Sequence, residues 1–429
     1  MSEDVGGHSG GGDAPYGPGV GASASGVGRR RRWVRYCAVG VAVVVLGAGG
    51  LGWAAYQKLN GNITTDTDAA AELARYDKER PTPLVHDAQN ILLLGSDTRA
   101  GQGNRKYGRD PGTERSDTTI LLHLAADRRS ATAVSIPRDL MVDIPSCRKP
   151  DGSRTQAQFA QFNWAFEFGG TACTIRTVEK LTDIRVDHHM VVDFAGFKDM
   201  VDAVDGVQVC LRAPIDDSDA HVKLEPGMRT LNGEQALGFV RARKSLGNGS
   251  DTDRMDRQQE FLGALVNKVQ SNDVLLNPTK LYPVLDAATS SLTTDPGLAS
   301  LRGLYELVRG MRNIPTERVQ FLTVPRQSYT YDANRDELVE PAAKELFTRL
   351  RTDAPVAVDP RQPAEQARQE EGASEGEGVS EEEDGASSEE EYDEFGEYGG
   401  GDEKPDDPSE TPSPAPTFRG NTAAGSTCE

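Results

Sequence analysis

The sequence predicts an α/β domain with three αβα layers, in which helices cover both faces of a central mixed sheet. Between residues 90 and 350, short apolar runs alternate with stretches of helical periodicity, a pattern typical of layered α/β domains. The runs at 90–94, 118–124 and 131–136 are nearly continuous in apolar residues, as in strands that are buried on both faces. Because ligands in such folds bind beyond strand ends, the residues flanking these runs are the first candidates for a site.

The remaining elements follow from periodicity and from turn residues. Gly95 and Pro137 end the first and third strands, because glycine and proline interrupt regular structure. Further strands are predicted at 190–194, 207–211 and 319–324. Helices are predicted at 156–168, 175–181, 197–204, 232–240, 255–269, 279–291, 298–311 and 341–350. The sequence shows no internal repeat and no second core, which indicates one folded domain.

Charge is distributed unevenly along the 429 residues. The net charge of −20 would argue against a protein that binds phosphates, but residues 361–429 hold 21 acidic and 4 basic residues, a net of −17. This part has almost no aliphatic residues and cannot bury enough apolar surface to offset its ordering entropy. We therefore predict five segments, with a tail that is dispensable for chemistry. They are a disordered segment with a basic cluster (1–35), a transmembrane helix (36–56), a linker (57–88), the folded domain (89–353) and a disordered acidic tail (354–429).

Residues 36–56 form an uncharged run of 21 residues. As a helix rising about 1.5 Å per residue, it spans a hydrocarbon core of roughly 30 Å. Arginines at 29–32 and 35 precede it, which predicts a single-pass protein of the cell membrane with a cytoplasmic N-terminus and an extracytoplasmic domain. A cleaved signal peptide is the alternative, since Trp53-Ala54-Ala55 offers small residues near the end of the run.

Three of the five cysteines, Cys147, Cys173 and Cys210, fall in the predicted external domain, where disulfides persist. Cys147 and Cys173 close a short loop and are the preferred pair. Connectivity cannot be read from spacing, so the partner of Cys210 stays open. Neither a CxxC motif nor a His/Cys spacing suggests zinc.

Charged residues cluster at the ends of the predicted strands. Asp97 follows the first strand and Asp117 precedes the second, and two carboxylates at adjacent strand edges suit Mg²⁺, which completes its shell with water and phosphate oxygens. Arg254 and Gln258 lie four residues apart and share one face of a helix. An arginine beside an aspartate in a loop, taken alone, is typical of a solvated ion pair that contributes little to stability. Taken together, the arginines near these strand ends suit a diphosphate, which guanidinium groups recognise in bidentate fashion.

Several other classes of site receive no support. The scattered histidines form no Ser-His-Asp arrangement, and His123 lies inside an apolar strand, where a structural role is the usual one. Gly101-Gln102-Gly103 lacks the lysine and following helix of a P-loop. The N-terminal part has a basic cluster but no recognition helix, so a nucleic-acid partner is not expected.

With these motifs in place, the chain resembles the LytR-CpsA-Psr family of cell-wall phosphotransferases from about residue 90 to residue 353. The resemblance rests on five motifs: NILLLGSDTR (90–99), RSDTTILLHL (115–124), SIPRDLMVDIP (135–145), LNGEQALGFVRAR (231–243) and DRMDRQQ (253–259).

The resemblance implies a membrane-anchored transferase whose partners are membrane lipid, a polyprenyl diphosphate-linked glycopolymer and peptidoglycan. Such an enzyme joins the polymer to a muramic acid hydroxyl through a phosphodiester and releases polyprenyl phosphate. The implied metal ligands are Asp97 and Asp117, for Mg²⁺ or alternatively Mn²⁺. The implied catalytic residues are Asp117, Arg138 and Asp139, with Asp117 or Asp139 as the general base. The implied diphosphate-binding residues are Arg115, Arg138, Arg241, Arg243, Arg254 and Gln258.

Two departures from the family pattern qualify this comparison. Residues 100–114 lengthen the loop between the two acidic motifs, and Gln161 stands where the family often has lysine. Two other functions stay open, namely a non-catalytic wall-binding or regulatory membrane protein and a polyprenyl diphosphate-sugar diphosphatase. The polymer could be arabinogalactan, a teichoic-acid-like polymer or capsule.

Overall fold

The computed structural model describes residues 27–96, 116–149, 151–242, 251–271, 277–359, 417–424 and 428. The chain divides into two compact units, 1–57 and 58–429. Helix α1 (Val27–Asn62) accounts for the described part of the first unit and extends into the second. Its segment Trp33–Asn62 is long and apolar enough to cross a membrane, and its large apolar side chains, among them Leu46 and Leu51, are exposed. An apolar helix near the N-terminus is therefore present, as expected.

The second unit alternates helices and strands along the chain. Its helices are α2 (Thr67–Arg75), α3 (Trp164–Thr182), α4 (Phe194–Ala203), α5 (Gly233–Arg241), α6 (Asp251–Gln270), α7 (Pro278–Ser291), α8 (Leu301–Met311) and α9 (Glu340–Arg351). Its strands are β1 (Thr64–Thr65), β2 (Gln89–Ser96), β3 (Ser116–Leu124), β4 (Ala131–Ile136), β5 (Met141–Ile144), β6 (Gln158–Gln161), β7 (His188–Asp193), β8 (Val207–Leu211), β9 (Ile215–Asp217), β10 (Val222–Leu224), β11 (Gly227–Leu231), β12 (Leu292–Thr294), β13 (Val319–Thr323), β14 (Arg326–Tyr329), β15 (Asp332–Leu338), β16 (Ala357–Asp359) and β17 (Thr417–Thr422).

A nine-stranded mixed sheet forms the middle layer, in the order β1-β12-β7-β2-β3-β4-β13-β17-β16. At its centre β2 runs parallel to β7 and antiparallel to β3, and β4 runs parallel to β13. Successive residues of a strand point to opposite faces. Leu92, Leu121 and Val134 accordingly pack on one face with residues of α2, α3 and α9. The other face carries α6 and α8. The predicted three-layer fold is confirmed.

The segment predicted as a helix at 156–168 is the main difference in secondary structure. Residues Gln158–Gln161 instead form β6, which pairs antiparallel with β5, and the helix begins only at Trp164. Pairing with a neighbouring strand outweighs the helical periodicity of this short stretch. Gly169 and Gly170 have non-helical φ and ψ, so α3 is also kinked one turn after its start.

The C-terminal part differs from the disordered tail predicted for 354–429. Ala357–Asp359 forms β16, and Thr417–Thr422 returns to the sheet as β17, between β13 and β16. The side chain of Phe418 is buried in the core. Composition averaged over the whole tail conceals these short segments, each of which can pair with a strand that is already formed. Residues 360–416 lie outside the described residues.

Two disulfides are present. Cys147 is bonded to Cys173, the pair preferred from the sequence, and Cys210 on β8 is bonded to Cys428, which the sequence left without a partner. His123 is buried and makes contacts at both ring nitrogens, with Asn90 Oδ1 at 2.8 Å and Asp353 Oδ1 at 3.0 Å. These contacts give it the structural role that its place in an apolar strand suggests.

Candidate active site

A cavity of about 570 Å³ lies between one face of the sheet and helices α4, α5 and α6. Leu93, Ile120 and Val192 contribute from β2, β3 and β7, and Phe197 and Phe261 contribute from α4 and α6. Phe261 is completely buried and packs against Phe197 with ring centroids 5.4 Å apart. This interior is apolar, and its volume is in the range of pockets that enclose a small ligand.

Charged groups line the same cavity, and they come from separate elements. Asp117 lies at the start of β3, Arg241 at the end of α5, and Arg254 and Gln258 on the first turns of α6. Asp193, at the end of β7, is a further lining residue. The site thus combines an apolar interior with guanidinium and carboxylate groups, which suits an amphiphilic anion.

A β-bulge places Asp117 at the cavity. Gly95 pairs with Thr118 and Ser96 pairs with Ser116, so Asp117 is the extra residue of β3. Bulges redirect a side chain out of the regular alternation and are frequent beside active sites. The Asp117 side chain is 35% exposed and accepts a hydrogen bond from Arg138 Nη1 at 3.1 Å.

Arg138 joins two of the predicted catalytic residues. Its Nη1 donates to Asp117 Oδ1, and its Nε donates to Asp139 Oδ2 at 3.1 Å. The other oxygen of Asp139 accepts from Gln161 Nε2 at 2.7 Å. Both oxygens of Asp139 are therefore engaged, and this carboxylate holds the guanidinium of Arg138 in place. Gln161 therefore belongs to the same network.

The start of α6 is docked by polar contacts on two sides. Gln258 Nε2 donates to the carbonyl of Val240 at 3.2 Å, and Arg257 donates to the carbonyl of Ala242. Gln259 Nε2 donates to Thr323 Oγ1 at 2.9 Å. These hydrogen bonds hold the helix that carries Arg254 and Gln258 against the sheet and α5.

Burial raises the pKa of the Glu260 carboxyl on the same helix, although the charges of Arg212 and Arg257 oppose that shift.

Arg241 is held at the C-terminus of α5. A capping box between Asn232 and Gln235 starts this helix, which is an N-terminal signal recognisable in the motif LNGEQ. The Arg241 guanidinium lies over the ring of Phe194, 4.6 Å from its centroid. Cation–π contact of this kind orients a guanidinium over the face of the ring.

The structure brings together Asp117, Arg138, Asp139, Arg241, Arg254 and Gln258 of the predicted site. Asp97, Arg115 and Arg243 lie outside the described residues. Sequence reasoning missed the support from Gln161 and the cavity-lining residues themselves. The alternation of Leu92 and Leu93 on opposite faces of β2 was the available signal for the lining, but it does not say which face is filled.

Comparisons with known proteins identify the family and agree with the fold. The LytR_cpsA_psr family model matches residues 58–352, so the chain belongs to that family. It is 34% identical over 293 residues to the probable cell wall biosynthesis protein LcpB of Corynebacterium glutamicum, covering 66% of each chain. It is 30% identical over 334 residues to the polyisoprenyl-teichoic acid–peptidoglycan teichoic acid transferase TagT of Bacillus subtilis, covering 75% of this chain and 95% of TagT.

A solved structure supports the fold independently. The crystal structure of B. subtilis TagV superposes with a TM-score of 0.50 at 24% sequence identity, covering 62% of this chain and 98% of TagV. The two proteins share a fold. The match to LcpB spans slightly under two thirds of that relative's length.

Proposed function

We propose that the protein is a membrane-anchored phosphotransferase that moves a glycopolymer from a polyprenyl diphosphate carrier to peptidoglycan. The acceptor is a muramic acid hydroxyl, and the products are a phosphodiester-linked polymer and polyprenyl phosphate. One observation carries the proposal: a cavity with a mainly apolar lining also has Arg241, Arg254 and Gln258 in its wall. TagT, which the chain resembles over most of its domain, is named a transferase of polyisoprenyl-linked teichoic acid to peptidoglycan.

The cavity separates the two parts of such a donor. The prenyl chain lies among Leu93, Ile120 and Phe261, where its burial stabilises the complex by about 0.8 kcal/mol per CH₂ group. The diphosphate stays at the polar end because the two guanidinium groups supply hydrogen bonds and charge there. A membrane-anchored domain meets this donor at the membrane surface. The arginines that precede the apolar run favour a cytoplasmic N-terminus and an external domain.

In the reaction, the acceptor hydroxyl oxygen forms a bond to the phosphorus that carries the polymer. The bond from this phosphorus to the bridging oxygen breaks, and the bridging oxygen leaves with the lipid as polyprenyl phosphate. The hydroxyl proton goes to a base. Since negative charge accumulates on the phosphoryl oxygens, fixed guanidinium groups stabilise the transition state more than the ground state.

The two candidate bases have different surroundings. Asp139 is engaged at both oxygens by Arg138 and Gln161, which makes it a positioning residue for Arg138. Asp117 lines the cavity and is the carboxylate that can meet the reacting groups. Arg138 links them, so that charge developing near Asp117 is balanced by a guanidinium whose orientation Asp139 controls.

We propose that a divalent cation binds beside Asp117. In the described part of the chain, no group of three His, Cys, Asp or Glu side chains forms a closed metal site. An ion here would be held by one or two carboxylates and would complete its shell with water and diphosphate oxygens, as Mg²⁺ does. We propose Mg²⁺, or alternatively Mn²⁺, with Asp97 as the second ligand. When bound, the ion neutralises charge on the diphosphate and favours departure of the lipid phosphate.

An assay of the full chain with a polyprenyl diphosphate-linked sugar and peptidoglycan tests the proposal. We expect sugar to become covalently attached to peptidoglycan with equimolar release of polyprenyl phosphate, and EDTA to stop the reaction until Mg²⁺ is restored. Release of lipid phosphate without attachment would instead show a diphosphatase. Binding to peptidoglycan with no turnover of the lipid would show a non-catalytic wall-binding protein.

A further inference from the structure

The end of the chain is attached to the domain at two points beyond the acidic segment. Strand β17 (Thr417–Thr422) is an interior strand of the sheet, antiparallel to β13 and parallel to β16. Six residues after β17, Cys428 is bonded to Cys210 on β8. Between β16 and β17, residues 360–416 carry 20 acidic and 3 basic residues, a net of −17. The acidic segment is thus an insertion whose two ends are both anchored in the sheet.

This terminal segment runs along α6, the helix that carries Arg254 and Gln258. Arg419 on β17 forms an ion pair with Asp256 near the start of the helix. Further along, Gly263 is so close to Ala423 that an added Cβ would lie 3.3 Å from the Ala423 Cα. Near the end of the helix, Asn267 Nδ2 donates to the carbonyl of Ala423. Three contacts therefore follow α6 over most of its length.

The disulfide extends this attachment to the opposite side of α6. Ala423, 1% exposed, packs in the cluster that joins α6 to the sheet, whereas β8 belongs to a second cluster that contains Phe261 and Ala264 of the same helix. The five residue steps from Ala423 to Cys428 reach at most about 18 Å when extended, and a helix with its side chains is about 10–12 Å wide. A chain of that length can pass one helix.

We infer that β17, Ala423 and the disulfide-bonded Cys428 act together as a strap that positions α6, and with it Arg254 and Gln258, for the diphosphate. The strap joins the sheet on one side of α6 to β8 on the other, and the bond between Cys210 and Cys428 closes it. This inference rests on the proposed donor site and adds to it a covalent clamp supplied by the C-terminus. It also reverses the expectation from composition that the tail is dispensable: the acidic insertion is dispensable and the strap is not.

Cys428→Ser in the full-length protein tests the strap, with Cys147→Ser/Cys173→Ser as the matched loss of the other disulfide. The first readout is amide hydrogen exchange, which needs no substrate. We expect Cys428→Ser to speed exchange in 255–266, and the matched control to leave that segment protected. Unchanged exchange in 255–266, or an equal increase in both variants, would overturn the inference.

The second readout is kinetic. We expect Cys428→Ser to raise the KM for the polyprenyl diphosphate donor about tenfold, since displacing a binding group by 1 Å can cost about a hundredfold. The kcat should fall as well, because Arg254 is proposed to stabilise the transition state more than the ground state. A purely stabilising disulfide would lower the active fraction and leave KM unchanged, which would also overturn the inference. If the wild-type protein turns over no such donor, the proposed function fails, while hydrogen exchange still decides whether the strap holds α6.

Two deletions separate the strap from the acidic insertion. Removing 364–412 keeps β16, β17 and Cys428, and we expect donor KM and exchange in 255–266 to match the wild type. Ending the chain at residue 360 removes the strap and should reproduce or exceed the effect of Cys428→Ser. Equal behaviour of the two deletions would show that the strap has no role distinct from the insertion.

Discussion

The two faces of the central sheet are built by the same strands, yet one is packed and the other encloses a cavity. On β2, Leu92 is completely buried against the layer formed by α2, α3 and α9. Its neighbour Leu93 is only partly buried and lines the cavity under α4, α5 and α6. On β3, Leu121 packs in that same layer, whereas Ile120, although buried, lines the cavity. Adjacent leucines of one apolar run therefore have different roles, core packing and ligand contact.

The difference arises from how each face is covered. Helices α2, α3 and α9 lie directly on the sheet and fill the space with side chains of one cluster. On the other face, α4 and α5 pack mainly with strands β8 to β11 in a cluster of their own, which leaves room beside β2, β3 and β7. Among the described helices, α6 alone contributes to both clusters of that face. It is therefore the element that joins the cavity's roof to the sheet.

The largest expected effect is a difference in stability between matched substitutions on the two faces of the sheet. Leu92→Ala should lower the free energy of unfolding by about 2–5 kcal/mol, because it opens a void in a packed core. Leu93→Ala removes the same atoms from a side chain that already borders empty space, and should cost less than half as much. Urea-induced unfolding of both full-length variants measures the difference. Equal losses would mean that the cavity is closed in solution.

The next effect concerns the polar end of the cavity. Arg254→Ala should reduce sugar transfer by about 10²–10³, the usual result of removing one fixed donor to a developing anion. Arg138→Ala should do the same through Asp117. Both variants should melt close to the wild-type temperature. Arg302→Ala is the control, since that exposed side chain pairs with Glu306 on α8 and lies outside the cavity lining. Wild-type transfer by both Arg254→Ala and Arg138→Ala would remove the diphosphate-site assignment.

A smaller effect is expected from filling the cavity. Leu93→Phe adds bulk where the prenyl chain is proposed to lie, and should raise the donor KM by roughly tenfold to a hundredfold, the range for steric mismatch in an apolar pocket. The melting temperature should stay the same or rise, because the added ring gains contacts. An unchanged KM would indicate that the lipid binds elsewhere.

Much of this comparison was accessible from the sequence. The apolar runs at 90–94, 118–124 and 131–136 predict β2, β3 and β4 to within two residues. Their assignment depends little on tertiary neighbours, because a continuous apolar run has to be buried on both faces. Periodicity also locates α4 to α9. It fails at 156–168, where pairing of β6 with β5 decides, and at 417–422, where a short strand follows a long acidic insertion. Both failures have non-local causes. β6 forms because it pairs with β5, which is distant in sequence, and β17 is hidden in the sequence by the average composition of the acidic tail.

The site was predictable in its charges and not in its geometry. Motif content points to Asp117, Arg138, Arg241, Arg254 and Gln258, which the fold brings together. The bulge at Asp117 depends on the register between β2 and β3, and the engagement of Asp139 by Gln161 depends on β6. Neither relation can be read from one segment alone.

The smallest expected effect compares a buried glutamate, Glu179, with a half-buried one, Glu260. They lie on helices that cover opposite faces of the sheet. On the packed face, Glu179 of α3 accepts hydrogen bonds from Arg80 Nη2 at 2.7 Å and from the backbone N–H of Val186 at 3.0 Å. On the cavity face, burial raises the pKa of Glu260 on α6, against the opposing charges of Arg212 and Arg257. Glu179 is thus held by its partners, whereas ionisation of Glu260 weakens the fold.

A pH series measures this contrast. A carboxyl whose pKa is higher in the folded state contributes stability below its unfolded pKa, near 4.5, and loses it as the pH rises through the folded pKa. At pH 7.5, wild-type Glu260 is therefore destabilising, and Glu260→Gln should melt higher than the wild type by a small margin that disappears near pH 4. Glu179→Gln should melt lower at pH 7.5, because it leaves Arg80 without its carboxylate in a buried site. A lower melting temperature for Glu260→Gln at pH 7.5 would show that Arg212 and Arg257 stabilise the ionised carboxylate enough to outweigh its burial. In that case an ionised glutamate would stabilise α6 on the cavity face, as Glu179 stabilises α3 on the packed face.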